Sequence, residues 1–82
     1  MSGRVHMVAV VTEVETIVLM RNGEVNEAGG ERLGEMLAHA GATDADMAAY
    51  SLGGMNALRG LLEARGIGTL VLFDRRGNEV AP

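Results

Sequence analysis

The side chains of this 82-residue chain best suited to chemistry are His6, His39, the hydroxyl of Ser51 and eleven carboxylates, and two Gly-Gly pairs could bring backbone amides to a ligand. A metal would need the histidines to converge with a carboxylate. The sequence has no His-x-x-His, no His-Glu-x-x-His and no cysteine, so no spacing gathers ligands on one helix face or turn. A hydrolase built on Ser51 would need that serine on a strained strand-to-helix turn, and its neighbours place it inside a helix. Gly29-Gly30 precedes a helical pattern and could aim free amides at an anion, while Gly53-Gly54 could admit a ligand close to the backbone. Neither pair matches a phosphate loop or a dinucleotide fingerprint, since the sequence has no Gly-Lys-Ser/Thr and no Gly-x-Gly-x-x-Gly. They read as a loop break and a packing contact. The expectation is a chain with no catalytic residue, no metal and no cofactor.

The elements around these residues follow from local pattern. Val5 to Val11 and Thr16 to Met20 are rich in β-branched residues and too short for helices, so they read as strands buried on both faces, or as one long strand bent at Thr12 to Glu15. Asn22-Gly23 signals a type I′ turn, which returns a strand Glu24 to Ala28 beside Thr16 to Met20. Leu33, Met36, Leu37 and Ala40 then recur at helical spacing until Gly41 offers a left-handed cap. Thr43 with Asp46 three residues later has the form of a capping box, and Asp44 adds charge at the positive end of the helix dipole. That second helix runs from Asp44 to Arg65 and stops at Gly66. Ile67 to Phe73 and Glu79 to Ala81 supply the last strands. Two stretches, Thr16 to Val25 and Thr69 to Val80, share a Thr, four apolar residues, an Arg-containing turn with Gly, and Glu-Val. The result is one α+β domain over residues 1–82, a mostly antiparallel sheet on a short helix and a long central helix, in the order β-β-β-α-α-β-β.

The central helix has almost no polar face. At about 100° per residue, Ala49, Gly53, Ala57, Gly60 and Ala64 fall on one narrow stripe, Met47, Met55, Leu58, Leu61 and Leu62 continue round the far side, and Asn56, Arg59 and Glu63 form a polar edge. A helix normally buries one stripe, so this one needs its own sheet on one side and a second layer on another. Each interior glycine costs about 1 kcal/mol relative to alanine, which a close packing contact must offset. The pattern assigns Ala49, Gly53, Asn56, Ala57, Arg59 and Gly60 to an interface, with Asn56 and Arg59 able to set register across a two-fold axis. It leaves open whether the small stripe or the Leu/Met side meets the sheet.

Composition bounds the partners. The net charge is −4, and every basic side chain is an arginine, too few and too scattered to track phosphates, so nucleic acid is not expected. With 48% hydrophobic but only 2% aromatic residues, the core must be aliphatic. The longest N-terminal apolar run, Met7 to Val11, is too short to span a membrane and lacks a signal-peptide layout. A cytoplasmic protein without a membrane partner is expected. A chain of this length buries only about 60 to 65% of its unfolded surface, so association would add stability.

Three stretches together resemble the Roadblock/dynein light chain family. They are Thr16-Ile-Val-Leu-Met-Arg-Asn-Gly-Glu-Val-Asn-Glu-Ala-Gly-Gly30, the helix Asp46-Met-Ala-Ala-Tyr-Ser-Leu-Gly-Gly-Met-Asn-Ala-Leu-Arg-Gly-Leu-Leu-Glu-Ala-Arg-Gly66, and the strand after it. The resemblance covers about residues 14 to 74. It implies a homodimer joined through the central helix and a sheet edge, acting without catalysis as a platform for a small GTPase or another protein. The family's first helix is replaced here by Val5 to Val11, and its third long helix is missing from the sequence. A second reading is a small sensor that binds a metabolite or anion near Gly29-Gly30 or beside the small-residue stripe.

Overall fold

The short β-branched runs become five strands, ordered β3-β2-β1-β4-β5 across one sheet in the computed structural model, which describes residues 5–80. They are β1 (Met7–Val11), β2 (Thr16–Arg21), β3 (Glu24–Val25), β4 (Thr69–Phe73) and β5 (Glu79–Val80), and each neighbouring pair is antiparallel. Helices α1 (Glu27–His39) and α2 (Asp44–Arg65) separate β3 from β4, which completes the expected α+β order. Ala81, assigned above to the last strand, lies outside the described residues.

Local chemistry accounts for the turns. Thr12 closes the first one: its hydroxyl accepts from the Val14 and Glu15 amides and donates to the Glu15 carbonyl, so β1 and β2 form a hairpin and not one bent strand. Asn22 (φ 53°) and Gly23 (φ 80°) both take the positive φ that a type I′ turn demands. The third strand is shorter than the sequence suggests, because Asn26 stops it. Its amide N–H donates to the Leu19 carbonyl, its side-chain amide donates to the Val18 carbonyl at 2.8 Å, and its extended backbone starts α1.

Gly29 and Gly30 therefore lie in the first turn of a helix, which corrects their reading as a loop break. Gly29 is buried, and a Cβ there would overlap the Val18 carbonyl oxygen. Nothing lies near a Cβ built at Gly30. The first glycine is a point of close approach between α1 and β2, and the second carries no such constraint.

The core occupies one face of the sheet. Val8, Val10, Ile17, Leu19 and Leu70 point to that face and pack on Leu33 and Leu37 of α1 and Leu58 and Leu62 of α2. The strands are thus not covered on both faces, as their apolar runs imply; both helices sit on the same side. A β-bulge in β2 sets which residues go where. Val8 pairs with Met20 and Ala9 with Val18, so Leu19 is the extra residue, and Leu19 and Met20 both reach the core. Strict alternation would have turned Arg21 inward. With the bulge, Arg21 pairs with Met7 on the opposite face.

The second helix starts with the full capping box: the Asp46 amide donates to Thr43 Oγ1, and the Thr43 amide donates to the Asp46 carboxylate at 2.9 Å. It ends at Gly66 in the left-handed conformation. Between these ends it is not one straight rod. Gly54 adopts φ 66°, ψ −144°, a conformation essentially closed to residues with a Cβ, and it breaks α2 into two segments. The stripe drawn through Ala49, Gly53, Ala57, Gly60 and Ala64 assumed an unbroken helix, so it does not run continuously. At the kink the chain doubles so tightly that a Cβ on Gly53 would stand 2.6 Å from that of Ala57.

Asp46 also pairs with Arg65 at the far end of α2. The hydrogen bond from the Thr43 amide, and then that from Arg65, hold its carboxyl below the usual carboxylate range. A depressed folded value gives stability that is present above the ordinary carboxylate range, about pH 4, and is lost as pH falls through Asp46's own lower value. Asp46→Asn is expected to lower the melting temperature at neutral pH, and the gap to wild type should close on acidification. Melting curves across that range check the sign; a gap that widens in acid refutes it.

Candidate interaction surface

The polar candidates do not converge. His6 precedes β1, and its amide donates to the carbonyl of Phe73, at the C-terminal end of β4. His39 ends α1 beside Ile67, before the N-terminal end of that same strand. Ser51 is exposed inside α2. No group of three or more metal-ligating side chains gathers among the described residues. Nor, among them, is any helix long and apolar enough to cross a membrane.

A cleft of about 390 Å³ opens where the end of α2 meets α1, lined by Arg32, Met36, His39, Ala40, Arg65 and Ile67. Both arginines are already engaged. Arg32 donates through Nε to Glu15 at 2.7 Å and approaches Glu35 at 3.5 Å, while Arg65 is held by Asp46. The hydrogen bond to Glu15, and then its charge, raise the Arg32 pKa further above its ordinary value. With each guanidinium matched by a carboxylate, the cleft presents no surplus of positive charge to an anion.

Apolar surface is the more distinctive feature, and it appears on both outer sides of the molecule. On the helix side, Leu58 and Leu62 are fully buried against the sheet, which settles the orientation of α2. The small residues turn outward: Ala49, Gly53, Asn56 and Gly60 are exposed, and Ala57 and Arg59 are half-buried. Next to the kink, Leu52 is 91% exposed. A leucine standing almost free on a helix has no packing role within this fold.

On the sheet side, the face away from the helices carries Met7, Ala9 and Val11 of β1, Thr16 and Val18 of β2, and Thr69, Val71 and Phe73 of β4. No helix covers it among the described residues. Neighbouring side chains shield Ala9 completely, while Met7, Val18, Val71 and Phe73 are half-buried and Val11 is exposed. Arg21, Glu24 and Glu79 rim this face, placed there by the pairs Arg21–Met7, Arg21–Glu24 and Phe73–Glu79. The helical pattern of α2 and the family resemblance point to the central helix and a sheet edge, not to this sheet face. The alternation of β1 and β4 held the signal for it, but a run such as Val8-Ala-Val-Val11 gives no hint that one of its faces stays bare.

Compared with family models, with curated proteins and with solved structures, the chain matches none.

Proposed function

We propose that this protein is a self-associating adaptor that works through surfaces and not through a reaction. The observation that carries the reading is the bare apolar sheet face, Met7, Ala9, Val11, Val18, Val71 and Phe73, with α1 and α2 both on the other side of the sheet. Apolar surface of this kind, rimmed by charge, is characteristic of protein interaction sites. Association also suits a domain this small, since it removes surface that a single short chain cannot bury. The α2 residues Ala49, Gly53, Asn56 and Gly60, exposed on either side of the kink, with Ala57 and Arg59 half-buried beside them, are then free to meet a different protein. The resemblance to Roadblock proteins makes a small GTPase the first partner to try. Light scattering coupled to size exclusion tests the reading: a homodimer is expected at micromolar concentration, and a monomer throughout the accessible range refutes it.

A further inference from the structure

We infer that the bare sheet face is where a second copy of this chain docks, the two sheets stacked face to face about a two-fold axis parallel to β1. The assignment rests on the self-association proposed above and adds where it occurs. Its basis is the arrangement of residues about β1. That strand is the middle of five, and the two similar hairpins, β2–β3 and β4–β5, flank it at matching register. Val11 pairs with Thr16 on one side and Thr69 on the other, Ala9 with Val18 and Val71, and Met7 with Arg21 and Phe73.

An axis along β1 lays β2 of one copy over β4 of the other. Like then meets like: Thr16 faces Thr69 of a second copy, and Val18 faces Val71 of a second copy. The strand nearest the axis meets itself, with small Ala9 at its centre leaving room for Met7. Stacked sheets lie about 10 Å apart, a gap that side chains of these sizes fill from both sides.

At the rim one arginine meets two carboxylates. Arg21 forms no ion pair among the described residues; its guanidinium donates to Met7 Sδ at 3.6 Å. In the stacked pair it lies over the aromatic ring of Phe73 of a second copy and between two carboxylates that the same register sets opposite each other, Glu24 of its own copy and Glu79 of the other, so that its charge holds them together. An axis across the strands would set Arg21 near threonines and leave Glu79 with no opposite charge. A sheet-edge dimer would leave the apolar face bare.

The full chain and its variants, followed by sedimentation and circular dichroism, test this. Wild type is expected to dimerise, and Val71→Glu to be monomeric with an unchanged spectrum, since that side chain borders solvent in a single copy. A Val71→Glu chain that dimerises with the wild-type Kd overturns this docking face but leaves self-association standing. A wild type that stays monomeric overturns both. If Val71→Glu does not fold, the rim decides. Arg21→Glu is expected to raise Kd by about ten-fold or more, and adding Glu79→Arg to restore it. No rise with Arg21→Glu, or a rise that Glu79→Arg leaves in place, overturns the proposed pairing.

Discussion

Gly29→Ala is expected to destabilise the protein by about 2 kcal/mol or more, while Gly30→Ala, one residue along the same helix turn, should stabilise it by up to about 1 kcal/mol. In an ordinary helix both changes would help, because alanine gains about 1 kcal/mol over glycine. Gly29 differs because a methyl group there would overlap the backbone carbonyl of Val18, which cannot rotate aside as a side chain could. Helix α1 would have to lift from β2, loosening Leu33 and Leu37 from the core and pulling Asn26 from the two carbonyls it satisfies. Urea unfolding of the two variants separates the effects: the midpoints should move in opposite directions. Equal, small shifts would show that α1 is not pressed against β2.

Leu62→Ala should cost about 2 to 5 kcal/mol, and Leu52→Ala less than about 0.5. The residues share a type and a helix but not an environment. Leu62 is fully buried, with Leu58, Leu37 and Leu70 in the same cluster, whereas Leu52 is 91% exposed beside the Gly54 kink. A domain of this size has a total stability of about 4 to 12 kcal/mol, so loss of the Leu62 side chain can bring it near unfolding. Thermal or chemical denaturation at fixed protein concentration measures both. Similar losses for the two leucines would mean that α2 packs along its whole length, against the kinked geometry.

Legibility from sequence varied with the range of the interactions involved. The Thr43–Asp46 box, the Asn22-Gly23 turn and the Gly66 cap are each satisfied within a few residues, and all three form as their residue types imply. The end of β3 is not legible in the same way, because it is set by Asn26, whose partners Val18 and Leu19 sit on another strand. The kink at Gly54 has no local signature either. Gly53-Gly54 is compatible with a helix or a break, and nothing within four residues distinguishes them. Of the candidate interface on α2, the outward direction of the small residues could be read only once Leu58 and Leu62 were seen to claim the sheet.

By itself, then, the amino-acid sequence determined the α+β class, the order of the elements and the caps and turns that bound them, because these rest on hydrophobic period and on hydrogen bonds between near neighbours. Only the tertiary structure decided that both helices share one side of the sheet, that a bulge carries Arg21 out of the core, and that an apolar face is left uncovered. Those outcomes depend on pairing between strands far apart in the chain. The period-two pattern of a strand says that it has two faces, but which of them is covered depends on where the helices dock.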